Sequence, residues 1–73
     1  MRKIDITREH CPMTFVKAKL ELEKLSHGEE LEILLTDGEP LDNVPRNAEQ
    51  QGYIVVSKEQ IEGSVYKVVI KRP

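Results

Sequence analysis

One side chain in this sequence has both the type and the setting for covalent chemistry: Cys11, in the string Arg8-Glu9-His10-Cys11-Pro12-Met13-Thr14. Proline suits the first helical position, where its missing N–H would be unpaired in any case. The pair therefore predicts Cys11 as the N-cap of a helix, where free backbone N–H groups and the positive end of the helix dipole converge. A thiolate placed there gains roughly 0.3–1 kcal/mol from the dipole alone. Helix N-termini are also where cysteine pKa values fall below their free value, so nucleophilic sulfur is the expected product. Arg8 and His10 stand within three residues and can add positive charge, while Glu9 opposes it. His10 is not expected to act as a base, because adjacent residues of an extended chain point to opposite faces. Thr14 is expected to keep its backbone N–H free to point toward the sulfur and to hydrogen-bond its anionic form.

The competing reading makes Cys11 a buried, inert thiol, as cysteines often are. A cap position is exposed by construction, which removes most of the support for burial. A single cysteine cannot close an intrachain disulfide, and with His10 and His27 as the only histidines it cannot complete a four-ligand zinc site. Neither metal nor cofactor is expected, and the compartment is read as reducing and cytoplasmic. The N-terminal residues lack the apolar stretch of a secretory signal, and no run approaches eighteen apolar residues.

The elements that must position Cys11 follow from periodicity. Residues 3–7 alternate, with Ile4 and Ile6 on one side, as in a half-buried strand. From Pro12 the period becomes helical: Phe15, Ala18, Leu22 and Leu25 form the apolar stripe, and Met13, Val16 and Leu20 are assigned to the same face. Gly28 is expected to end this helix. Residues 30–36 form a second strand with Leu31, Ile33 and Leu35 inward and Leu34 as the one mismatch. Turn chemistry at residues 36–40 precedes a short second helix capped by Asp42 or Asn43, with Pro45 in its first turn, Val44 and Ala48 as its stripe, and Gly52 past its end. Residues 53–57 and 65–72 are two further strands joined by Glu62-Gly63-Ser64, and Val69 breaks the alternation of the last. The order βαβαββ implies an α/β two-layer sandwich, a four-stranded mixed sheet with both helices on one face.

A chain of 73 residues has room for one core, so residues 1–73 are read as a single domain with a radius of gyration of roughly 11 Å. Two Tyr, one Phe and no Trp leave the packing to aliphatic side chains. A net charge of −2 carries no basic excess and argues against direct binding of nucleic acid, and no membrane partner is expected.

The string His10-Cys11-Pro12-Met13-Thr14-Phe15-Val16-Lys17-Ala18-Lys19, followed by an acidic and apolar strand, Thr36-Asp37-Gly38, Asn43-Val44-Pro45 and Gln51-Gly52-Tyr53-Ile54-Val55, resembles the TusA-type (SirA-like) sulfur carrier family over nearly the whole chain. The resemblance implies the same βαβαββ sandwich. It also implies that Cys11 accepts sulfane sulfur as a persulfide and hands it on, with Pro12 as the first proline of the family's Cys-Pro-x-Pro motif. The partners implied are a sulfur donor, either a cysteine desulfurase or a rhodanese-type protein, and an acceptor sulfurtransferase. Arg8, His10, Pro12, Met13 and Thr14 are the residues expected to line the docking site around the sulfur. Two departures stand out: Thr14 replaces the second proline, and Thr7-Arg8-Glu9-His10 replaces the Leu-Gly-x approach common in the family.

Two other classes of function compete. Cys11-Pro12-Met13-Thr14 is also a Cys-x-x-Thr, as in monothiol glutaredoxin-like redox modules, and Val44-Pro45 would then be the cis-proline. Such a proline leads directly into a strand, whereas residues 46–51 are polar and helix-compatible. A protein-interaction domain without sulfur chemistry would use the outward Lys3, Lys67 and Lys71 for docking, although charged sheet faces are usually only solvated.

Overall fold

In the computed structural model, which describes residues 2–10 and 13–73, the sheet is built around strand β2 (Glu30–Thr36). Its Leu31, Ile33 and Leu35 are fully buried, as their alternation requires. Strand β1 (Arg2–Asp5) runs parallel to β2, with Ile4 beside Ile33, and the α1 helix (Met13–Glu23) lies in the crossover between them. Strands β3 (Ile54–Glu62) and β4 (Val65–Lys71) form a hairpin whose β4 pairs antiparallel with β2. The sheet order is β1-β2-β4-β3, which leaves β1 and β3 as its edges.

Ala18 and Leu22 of α1, Leu25 beyond it, and Leu41, Val44 and Ala48 of the α2 helix (Glu39–Gln50) share one cluster with Leu31, Ile33, Leu35, Val68 and Ile70. Both helices therefore cover the same face of the mixed sheet, and the expected two-layer α/β architecture is the observed one. The radius of gyration is 10.9 Å. The open face carries ion pairs laid across neighbouring strands, Lys3 to Glu32 at 3.8 Å and Lys67 to Glu59 at 3.6 Å. Leu34 and Val69, the two breaks in alternation, lie on this face, and Val69 is nevertheless buried.

Several expectations need correction. Met13, Val16 and Leu20 do not widen the core face of α1; they are 44%, 38% and 53% exposed, and Phe15 is only half-buried. The α-helix ends at Glu23, followed by a tighter turn in which Lys24 and Leu25 donate to the carbonyls of Glu21 and Leu22. Gly28, at φ 80°, instead redirects the chain into β2. Helix α2 begins at Glu39, not near Asp42: Gly38, at φ 98°, is its N-cap, and Pro40 falls in the first turn. Leu41 and Pro45 consequently join its buried stripe, and Pro45 lies inside the helix rather than at its start. That placement also removes the cis-proline role that a glutaredoxin-like reading gave to Val44-Pro45. Strand β3 runs on to Glu62, because pairing with β4 extends it through polar residues that read as loop in isolation. Its register slips around Val56 and Ile61, and both of these side chains are 49% exposed.

Candidate functional site

The site expected from the sequence is centred on Cys11 and Pro12, which lie outside the described residues; their flanks are described on both sides. Strand β1 delivers the chain to the site. The Ile6 N–H donates to the Leu34 carbonyl at 3.1 Å, which holds this buried residue beside β2 just past the end of the strand. Four interactions then shape the approach loop. The Asp5 carboxylate accepts from the Thr7 N–H at 3.0 Å and the Thr7 hydroxyl at 2.7 Å. The Glu9 N–H donates to the Ile6 carbonyl at 3.1 Å, and the Glu9 carboxylate reaches Lys17 Nζ at 3.1 Å. The loop is thus tied both to its own strand and to the helix that follows Cys11.

Hydrogen bonds from Thr7 hold the Asp5 carboxyl below the usual carboxylate range, and the charge of Arg8 adds a smaller push in the same direction. Asp5 is fully exposed, so its role is to shape the turn rather than to transfer protons.

On the far side of Cys11 the amides of Met13 and Thr14 both donate to the His10 carbonyl, at 2.7 and 3.4 Å. This overturns the expectation of a free Thr14 N–H aimed at sulfur, since that amide already has a partner, though a long one. Thr14 is also only 3% exposed, so its side chain faces the interior and cannot belong to a docking surface. Of the remaining flanking residues, Arg8, His10 and Met13 are exposed. The assignment of Cys11 to the N-cap and of Pro12 to the first helical position falls outside the described residues.

Reasoning from the sequence alone missed three features. The first is the Glu9–Lys17 strap, invisible because eight residues and a change of element separate its ends. The second is the outward apolar series Met13, Val16 and Leu20. Its signal was present: two sets of apolar residues at helical spacing in one helix imply that both cannot face one core. The third is a groove of about 430 Å³ between β1 and α1, with Ile4, Ile6 and Leu20 as its apolar lining and Asp5, Glu21, Lys17 and Lys24 as its charged lining, two of each sign. Among the described residues, no three His, Cys, Asp or Glu side chains gather as a metal ion would need. Among the same residues, no helix is long and apolar enough to cross a membrane.

Comparison with known proteins places this geometry in context. Residues 2–72 match the family model described as "Sulfurtransferase TusA". A protein of Methanocaldococcus jannaschii named as a "Putative sulfur carrier protein" is 43% identical over 72 residues, covering 99% of this chain and 95% of the relative. A protein of Archaeoglobus fulgidus with the same description is 36% identical over 69 residues, covering 94% of this chain and 78% of its own length. The crystal structure of a SirA-like protein from Desulfitobacterium hafniense superposes with a TM-score of 0.84 at 27% identity, covering 96% of this chain and 95% of that one.

Proposed function

We propose that this chain, which belongs to the TusA sulfurtransferase family, carries sulfane sulfur as a persulfide on Cys11 and relays it between two other proteins. The observation that supports this reading best is the setting of the lone cysteine. It stands between an approach loop tied to β1 and the first turn of α1, and its described neighbours His10 and Met13 are exposed. An accessible thiolate and a docking face are all that sulfur relay requires of a carrier.

In the loading step, the Cys11 thiolate attacks the outer sulfur of a donor persulfide. A new S–S bond forms on Cys11, the donor's S–S bond breaks, and its electron pair leaves as the donor thiolate. Discharge repeats the exchange, with the acceptor's thiolate as the nucleophile. No net oxidant or reductant is consumed in either step. The donor is of the cysteine desulfurase or rhodanese class, the acceptor is a sulfurtransferase, and the exchange takes place in the cytoplasm. Residues 1–73 act as one carrier domain, with Arg8, His10, Pro12 and Met13 beside the reacting sulfur and Thr14 supporting the helix from within.

Intact-mass measurement after exposure to inorganic polysulfide tests the reading. The wild-type chain should gain one sulfur that reductant removes, and Cys11→Ser should gain none while remaining folded, since serine is a favoured cap. Sulfur gained by the Cys11→Ser protein, or none gained by the wild type, would overturn the assignment.

A further inference from the structure

The backbone after Cys11 has few hydrogen-bond donors left for an anion. Pro12 carries no N–H, and the amides of Met13 and Thr14 both donate to the His10 carbonyl, at 2.7 and 3.4 Å. Favouring or opposing a negative charge on the sulfur therefore falls chiefly to the charged side chains around it.

Glu9 is the acidic one with the shortest tether. It precedes Cys11 by two residues, so the covalent chain alone holds their Cα atoms within about 7 Å of each other. Its carboxylate lies 3.1 Å from Lys17 Nζ, an ion pair that joins the approach loop to the second turn of α1. The other carboxylates of β1 and of the groove are engaged elsewhere: Asp5 accepts two hydrogen bonds from Thr7, and Glu21 pairs with Arg2 and Lys24. Arg8 and His10, on either side of Glu9 in the chain, are exposed. Without Lys17, Glu9 would hold a bare carboxylate close to the sulfur.

We propose that Lys17 is a positioning residue for sulfur transfer: by holding the Glu9 carboxylate against α1, it keeps that charge from opposing the anion that Cys11 must form. The inference rests on the carrier reading of Cys11. The effect of Lys17 runs through Glu9, so the two members of the pair act on the sulfur with opposite sign. A tie that merely held the loop in place would suffer alike from the loss of either end. A unit charge about 7 Å away in a solvated setting changes the thiolate population about threefold at low salt.

The test follows alkylation of Cys11 by uncharged iodoacetamide across the titration of the thiol, at low salt, and compares rates on the acid limb. The proteins are the wild type, Lys17→Met, Lys17→Arg, Glu9→Gln and the double variant Glu9→Gln/Lys17→Met, all altered only at partly exposed positions. Lys17→Met should react about threefold more slowly than wild type, and this difference should shrink in about 1 M salt. Lys17→Arg should keep the wild-type rate, and Glu9→Gln should react no more slowly than wild type. The double variant should recover the wild-type rate, because an uncharged residue 9 leaves nothing to mask. A Lys17→Met protein that reacts as fast as wild type would overturn the inference. So would a double variant as slow as Lys17→Met, or a slowed Glu9→Gln, since either would place the effect in the fold or in the lysine itself. Loading of the wild-type chain by inorganic polysulfide, read by intact mass, keeps the two readings apart. A chain that gains sulfur while the alkylation series fails overturns the role of Lys17 alone, and one that gains none overturns the carrier reading and this inference with it.

Discussion

Helices α1 and α2 cover the same face of the sheet, but they divide their surfaces differently. Helix α2 is one-sided: Leu41, Val44, Pro45 and Ala48 are buried, and its outward residues are polar, among them Asp42 and Arg46, which pair at 3.3 Å. Its start is set locally, by Gly38 and Pro40, with the Gly38 carbonyl accepting from the Asp42 N–H at 3.1 Å. Helix α1 buries an equally regular stripe yet keeps Met13, Val16 and Leu20 in water. Its start leans on the loop before it, through the Asp5–Thr7 turn and the Glu9–Lys17 strap. A helix that closes a core needs one apolar face, and Met13, Val16 and Leu20 lie outside the core cluster that Ala18 and Leu22 join.

The largest effects should fall on the inner faces. Leu22→Ala, at a site 4% exposed, should cost about 2–5 kcal/mol by denaturant unfolding. Val44→Ala on α2 should cost about 1–3 kcal/mol by the same measurement. Leu20→Ala should stay within about 0.5 kcal/mol of wild type, because its side chain is half in solvent already. A large loss at Leu20 would break the comparison, by showing that the outer face of α1 contributes to the fold.

A variant milder than Leu22→Ala sharpens the contrast between the two helix starts. Thr14→Pro removes a long hydrogen bond to the His10 carbonyl and replaces a buried side chain by one of similar volume, and should cost about 1 kcal/mol. It should also leave the alkylation rate of Cys11 unchanged, because the lost amide is directed at a carbonyl. A marked change in thiol reactivity would show that the Thr14 amide reaches the sulfur after all.

The smallest effect concerns Asp5. A carboxyl whose folded pKa is lowered contributes stability at pH values above its unfolded pKa, and this contribution disappears as pH falls through the lowered folded value. Asp5→Asn should therefore be slightly less stable than wild type at neutral pH, and the gap should close in strong acid. A gap that persists unchanged in acid would assign the effect to something other than the charge on Asp5.

The sequence carried much of this protein by itself. Strand β2 was legible because Leu31, Ile33 and Leu35 are separated by Glu32 and Leu34, and one polar partner is enough to orient a period-two pattern toward the core. The start of α1 at Met13 was legible because the proline before it marks a helix start. Tertiary structure decided the rest. Two apolar series compete along α1, and local periodicity cannot rank them; in the fold Ala18 and Leu22 join the cluster of Leu31, Ile33 and Leu35, and Met13, Val16 and Leu20 are left outside. The polar end of β3 was decided in the same way, by a partner distant in sequence. Backbone pairing with β4 holds residues 58–62 extended whatever their side chains. Propensity is a property of a residue and its neighbours, but which surface is buried depends on what lies across from it.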